Sequence, residues 1–427
     1  MKVGYKKTKI GEIPVDWEID ELKKITSYVD YRGKTPPKVD QGIFLVTAKN
    51  IRSGRIDYER SKEYVPTELY EEIMSRGKPL LGDVLITTEA PFGEVAYIDN
   101  ENIALAQRII KYRGFDKIIR NDFLRYTFLS DYFQNSLDRE STGSTVKGIK
   151  GSRLHKLNIL IPPLQEQKKI AKILITVDEK IAIITTKIQA TESIKKGLMQ
   201  RLLTQGIGHT KFKESKLGRI PESWDVVNFE ELLSDERNAL GYGILQPGTG
   251  VEDGVPMLRT VDLTETGLVP NTKVIKVTHE MSKQFSKTVL KDGDIILSVM
   301  GTLGRTVLVQ EEWIGWNVNR ALAVIRLNDK MINKYLIQYF KSPIFKNIIR
   351  TQSLGSAQMR INLSELRIYP VPLPSKKEQK EIADILFSVD DKLEVLQNKK
   401  SAYQDLKKGL MQQLLTGKVR VKIPANA

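Results

Sequence analysis

"EQKKIAKILITVDEKI" at residues 166–181 returns as "EQKEIADILFSVDDKL" at 378–393, and "KKGLMQRLLTQG" at 195–206 returns as "KKGLMQQLLTGK" at 407–418. Both repeats are offset by 212 residues, so one long segment is written twice. In the first copy the apolar positions are Ile170, Ile173, Leu174, Val177, Ile181, Ile184, Ile188, Ile194, Leu198 and Leu202. In the second they are Ile382, Ile385, Leu386, Val389, Leu393, Leu396, then Lys400, Leu406, Leu410 and Leu414. Steps of three and four dominate, the mark of a helix with one sustained apolar stripe. Neither copy has an internal proline, and Pro162-Pro163 and Pro374 stand just before the helices, where proline is tolerated. A helix of ~40 residues is roughly 60 Å long. Such a stripe must be covered, and two copies in one chain predict an antiparallel coiled coil. The expected seam is Leu174, Val177, Ile181, Ile184, Ile188 and Leu198 against Leu386, Val389, Leu393, Leu396 and Leu410. Lys400, in the place of Ile188, either fixes register or lies at the seam's exposed edge. Two amphipathic helices, each packed on its own domain, are the alternative.

The rest of the chain is doubled too. "YKKTKIGEIPVDWEIDELKKI" (5–25) matches "FKESKLGRIPESWDVVNFEEL" (212–232), setting Trp17 on Trp224. "GIFLVTAKNI" (42–51) lies over "GVPMLRTVDL" (254–263), "GDVLITTEAPFGEV" (82–95) over "GDIILSVMGTLGRT" (293–306), and "TGSTVKGI" (142–149) over "LGSAQMRI" (354–361). The short apolar runs Ile43–Val46, Val84–Thr87, Ile295–Ser298 and Leu322–Ile325 predict buried strands. "NDFLRYTFLSDYFQNSL" and "NKYLIQYFKSPIFKNII" predict helices with Asn121 and Asn333 as N-caps. The fold class is therefore α/β (α+β): two globular domains separated by the paired helices, with an internal pseudo-two-fold repeat. The divisions are 1–162, a first helix over 163–207, 208–374, and a second helix and tail over 375–420. Only about eight residues separate the end of the first helix from the second globular part. The helices must then run in opposite directions, giving a two-headed molecule whose termini lie close together.

The chain has 427 residues, no cysteine and no run of about 18 apolar residues, so disulfides, thiol chemistry and a transmembrane helix are excluded. Its N-terminus shows no apolar signal-peptide core, and cytoplasmic localisation is the default. A net charge of +15 points to a polyanion, nucleic acid above all. "GKT" at 33–35 lacks the first glycine of a phosphate loop, since position 29 is Val29. His155, His209 and His279 are scattered and build neither a metal site nor a triad. Glu166 and Glu378 lie in the first turn of their helices, where a carboxylate suits the dipole. We read them as structural, and Trp17 and Trp224 as core.

A dimeric DNA reader matches its own two-fold axis to that of the duplex. A chain with an internal two-fold can do the same with unlike heads, over half-sites separated by roughly 34 Å. Matched positions carrying different polar residues are then the candidate base readers. Near one probable loop these are Arg32 and Lys34, with Arg237, Tyr242 and Gln246 as approximate counterparts. After a strand come Thr47, Lys49 and Asn50, against Arg259, Thr260 and Asp262. Gln107-Arg108 pairs with Asn319-Arg320. Arg and Lys suit guanine, and Asn and Gln suit adenine. Ser144, Thr145, Lys147 and Lys150, with Ser356, Gln358 and Arg360, suit phosphate.

The arrangement and its phrases resemble the specificity (S) subunit of type I restriction–modification systems. The resemblance covers nearly all of the chain. It rests on "IGEIPVDW" and "LGRIPESW" opening each half and on "TGSTVKGI". It rests also on "IPPLQEQKKIAKIL" and "LPSKKEQKEIADIL" at helix entry, and on "KKGLMQ(R/Q)LLT" at helix exit. "VPLPSKKEQ" departs from the family's tighter Pro-Pro-Leu run and leaves the start of the second helix open. The resemblance implies two target-recognition domains on a bipartite double-stranded DNA site. It implies paired helices that space them and dock two methyltransferase (modification) subunits, with restriction subunits in the full complex. The chain itself is then expected to be non-catalytic and without a cofactor. S-adenosylmethionine, ATP and Mg are expected on the partners. The rivals are a stand-alone DNA methyltransferase or nuclease with an unrecognised site, and a coiled-coil protein with no nucleic-acid role.

Overall fold

The doubled stretch forms two long helices, Leu164–Gln205 and Lys376–Leu414. They start 212 residues apart, so the altered entry phrase of the second does not move its start. The computed structural model describes residues 4–422 except 9, 32, 34–35, 144–146, 236–237, 265–267, 270–272 and 353–359. The chain divides into two compact units, Met1–Thr185 with Asn398–Ala427, and Thr186–Gln397. The divisions fall inside both long helices and not at their ends. No helix of the described residues is long and apolar enough to cross a membrane.

In the first unit an antiparallel four-stranded sheet runs Val95–Tyr97, Val84–Thr87, Ile109–Gly114, Thr26–Asp30. Beside it, Ile43–Val46 pairs in parallel with Ile103–Leu105 and antiparallel with Tyr64–Val65. Val84–Thr87 is buried along its whole length, because it lies inside the sheet and is covered on both faces. The second unit repeats the plan. Its four strands are Leu240–Tyr242, Leu322–Ile325, Ile295–Ser298 and Thr306–Leu308. Val255–Leu258 lies between parallel Asn317–Val318 and antiparallel Ile275–Val277. The four strands read from the apolar runs are all present with those bounds. Asn121 and Asn333 are corrected: each is the first helical residue and not the cap. Asn121 accepts from the Gly114 amide (2.7 Å), and Asn333 donates to the Gly293 carbonyl (2.7 Å).

Each unit contains the start of one long helix and the end of the other. In the first, Ile170, Ala171 and Leu174 share a core with Leu414 and Leu415. In the second, Met199, Leu202 and Leu203 share one with Ile382, Ala383 and Leu386. The pairing is therefore antiparallel. Cross-helix ion pairs repeat at equivalent places, Asp178–Lys407 at 2.6 Å and Asp390–Lys195 at 2.5 Å. Tyr126 donates to Asp178 (2.7 Å) and Gln338 to Asp390 (2.8 Å), which ties each globular part to its helices.

Of the expected seam, Leu174, Val177, Ile184, Ile188 and Leu386 are buried, and Ile181, Leu198, Val389, Leu393, Leu396 and Leu410 are half-buried. Ile194 and Leu406 leave the stripe, at 57% and 49% exposed. Buried Thr191 and half-buried Lys195 take the place of Ile194, a shift the three-and-four spacing allows. Lys400 is half-buried.

A carboxylate anchors the start of each long helix. Glu166 accepts from Trp17 Nε1 at 3.0 Å and from Arg420 at 2.8 Å. Glu378 accepts from Trp224 Nε1 at 2.9 Å, bonds His209 Nε2 at 2.8 Å and accepts from the Ile207 amide at 2.9 Å. Both indoles are fully buried. The next residue, a glutamine, is equally fixed. Gln167 accepts from the Arg120 amide and donates to the Ile118 and Pro162 carbonyls. Gln379 does the same with Ile332, Lys330 and Pro374. Arg420 also grips Asp16 at 2.7 and 2.9 Å, and Tyr5 donates to the Gly417 carbonyl at 2.7 Å, so the two ends of the described chain meet in one unit.

Glu166→Ala would strand a buried indole N–H and half of the Arg420 fork, and should cost about 2–4 kcal/mol in denaturant unfolding. Glu378→Ala should cost a similar amount. The Arg420 guanidinium holds the Asp16 carboxyl below its ordinary value, against a smaller opposing effect of burial. That tie is at full strength above the ordinary aspartate range and weakens as pH falls through the lowered value. Arg420→Gln should therefore flatten the acid limb of the stability curve. Joining residue 422 to residue 5 and reopening the chain between exposed Thr210 and Lys211, beyond the residues that bond Glu378, should leave the fold intact by circular dichroism and cooperative melting.

Candidate nucleic-acid interface

Parallel strands deliver whatever follows them to the same edge, and both units use this. In the first, the Ala106 amide bonds the Val46 carbonyl at 2.9 Å, so residues 47–50 and 106–108 emerge together. The first segment is a tight turn, Ala48–Asn50. Asn50 Oδ1 accepts from the Thr47 amide (2.9 Å) and hydroxyl (2.8 Å), and its Nδ2 donates to the Asp57 and Ser61 carbonyls. Lys49 is left exposed at the tip. Arg108, with φ of 72°, turns its carbonyl to the Thr88 amide (2.9 Å), and the Ile149 amide bonds the Thr88 carbonyl (3.1 Å). Residues 147–150 thereby join the same edge. A concavity of about 220 Å³ there is lined by Thr47, Lys49, Gln107 and Arg108, with Lys38 and Glu63.

The second unit builds the edge again. The Asn319 amide bonds the Leu258 carbonyl (2.9 Å), and the turn Thr260–Asp262 follows. Here Asp262 accepts from the Arg259 amide at 2.9 Å and from its guanidinium at 2.8 and 2.9 Å. The Ile361 amide bonds the Val299 carbonyl (2.9 Å), and Arg360 bridges Met300, so the segment equivalent to 147–150 returns to the same place. Aligned side chains of opposite charge hold backbone near each turn, in the first unit at the hairpin Ile51–Ile56 that follows it. Glu94 accepts from the Ser53 amide (3.0 Å), whereas Arg305 donates to the carbonyls of Thr260 (3.2 Å) and Leu263.

The candidates thus sort into three groups. Lys49, Arg108, Lys150, Gln246, Arg320 and Arg360 are exposed, and Gln107 is half-buried beside Arg108. Arg108 lies 3.6 Å from Glu89, and exposed Lys147 pairs with Asp138 at 2.8 Å. A second group has its polar atoms engaged or buried within the fold. Asn50 is buried with its amide fully used, and Thr47 is its cap. Arg259 spends its guanidinium on buried Asp262, and Thr260 turns its hydroxyl into the interior. The Tyr242 hydroxyl bonds the Ile361 carbonyl (3.3 Å) and the Leu363 amide (3.0 Å), and half-buried Asn319 caps the Ala321 amide (3.2 Å). Arg32, Lys34, Ser144, Thr145, Arg237, Ser356 and Gln358 lie outside the described residues. Sequence reading missed Lys38, which lines the concavity and pairs with Glu63 at 2.7 Å, and the Glu94/Arg305 brace. The aligned "FGEV" and "LGRT" held the signal for that brace: a charge reversal beside a shared glycine.

Two variants separate the roles. Lys150→Ala should leave stability unchanged and lower the slope of log affinity for DNA against log salt by about 1. Asn50→Ala leaves the half-buried Asp57 and Ser61 carbonyls without their amide partner and should cost about 1–3 kcal/mol in thermal unfolding.

A model described as the type I restriction modification DNA specificity domain matches the chain twice, over residues 14–193 and 222–402. The putative type I restriction enzyme MjaX specificity subunit of Methanocaldococcus jannaschii is 30% identical over 431 residues, covering 98% of this chain and 97% of that one. The EcoBI specificity subunit of Escherichia coli is 27% identical over 73% of this chain and 68% of its own. In fold, the crystal structure of the S subunit from M. genitalium matches with a TM-score of 0.58 at 16% identity, over 96% of this chain and 97% of that one. A chain from a study of complex assembly in the type I R-M system matches at 0.56 and 17% identity, over 95% and 99%. The doubled match falls on the doubled architecture, and the chain belongs to the type I restriction–modification DNA specificity family.

Proposed function

We propose that each globular part reads one half of a bipartite double-stranded DNA site, and that the chain supplies an address to partners that do the chemistry. One observation carries this reading. The same edge is built twice from the same turns, and around the matched Arg108 and Arg320 it presents unlike residues, Lys49 against Val261 and Gly148 against Arg360. A scaffold shared by both copies, with divergent tips, is what two different half-sites require. The charge of +15 supplies the sequence-independent attraction to phosphate. The long helices, continuous from one unit into the next, dock two modification subunits and set the spacer. Restriction subunits complete the assembly. S-adenosylmethionine, ATP and Mg²⁺ act on those partners.

The purified chain should transfer no methyl group from labelled S-adenosylmethionine to DNA. With its modification subunits added, methylation should map to two constant elements around an unspecified spacer. Inserting one matched heptad in each long helix should lengthen that spacer and leave both elements unchanged. Methyl transfer by the chain alone would favour an enzyme, and an unaltered spacer would remove the ruler.

A further inference from the structure

We infer that residues 49 and 261, the outward tip of one turn in its two copies, decide specificity, and that Val261 reads a thymine through its 5-methyl group. This rests on the DNA-reading role proposed above. Val261 is 71% exposed, the most exposed large apolar side chain among the described residues. Its fold does not need it there. The turn is closed by Arg259 and Asp262 and braced by Arg305, and the core beneath is Leu258 and Leu263. A single exposed valine is ordinary on a protein surface. Its setting is not. The amides of consecutive residues Asn319 and Arg320 bond outward to Leu258 and Ile244, so the doublet runs between the 260–262 turn and the 244–246 segment. That segment carries a second exposed apolar residue, Leu245 at 55%, next to exposed Gln246. The reading edge of the second unit therefore mixes apolar tips with Arg320 and Gln246.

In the first unit the same turn, closed by Thr47 and Asn50, exposes Lys49 beside Arg108. The two copies thus offer an ammonium and an isopropyl group at one position. In the major groove only thymine presents a methyl group, while guanine O6 and N7 take a cation. Lys49 accordingly suits a G·C pair in the first half-site and Val261 an A·T pair in the second. The chemistry at this position reads hydrogen-bond acceptors in one copy and shape in the other.

The test uses the full chain assembled with its modification subunits and a duplex carrying its mapped target. Each thymine of the second half-site is replaced in turn by deoxyuridine, which removes only the methyl group. One position should lose about four-fold in affinity, the worth of one buried methyl. That loss should vanish in Val261→Ala, whose exposed site leaves folding undisturbed. Lys49→Val should relax one G·C position of the first half-site about ten-fold and keep the deoxyuridine effect in the second. Specific binding with no deoxyuridine-sensitive position overturns the inference, as does sensitivity that persists in Val261→Ala. Absence of any sequence-specific binding by the wild-type assembly overturns the DNA-reading role itself.

Discussion

A carboxylate held in the first turn of each long helix organises its unit. Glu166 is fully buried, and an unpaired charge there would be strongly destabilising. Trp17 and Arg420 answer it from opposite ends of the chain. Glu378 has the same two kinds of partner in Trp224 and His209. The indole comes from the opening of a globular part, and the cationic or imidazole partner comes from the segment after the other helix. One side chain thereby fixes where the helix begins, how the globular part sits on it and where the antiparallel partner stops.

The reading edge inherits that order through a chain of contacts. The glutamine after the carboxylate ties the helix start to the loop before helix Asn121–Leu129 or Asn333–Lys341. Those helices pack on the four-stranded sheet, and the sheet edge carries the 88–89 and 299–300 backbone to which the polar loops bond. Tips that face solvent are thus mounted on a frame with little freedom, which is what base discrimination demands of its first contacts.

The frame was legible in the amino-acid sequence because its causes are local or repeated. Steps of three and four gave the helices, short apolar runs gave the central strands, and the 212-residue offset gave the two-fold plan. The site was legible only in outline. Residue type alone could not tell Asn50, which closes a turn, from Lys49, which leaves it, since both are polar and adjacent. Nor could it show that Arg259 pairs with buried Asp262 three residues on, since cap geometry is not a matter of composition. Val261 escaped notice because a search for polar differences passes over an apolar tip. Ile194 and Leu406 were placed one position off the stripe, where 3.6-residue periodicity drifts against a strict repeat.

The segment after each helix also has a steric side. Gly206 and Gly417 adopt φ of 65° and 69°, and a β-carbon would stand 2.8 Å from the Trp224 ring and 2.5 Å from Pro14. The backbone must therefore bend hard against the wall that the helix-entry carboxylate secures, and only the smallest residue can make that bend. Residues 206–209, at the passage from one half of the chain to the next, are accordingly a clasp first and a connector second. Loosening them for length or flexibility would unfasten the very start of the opposite rod.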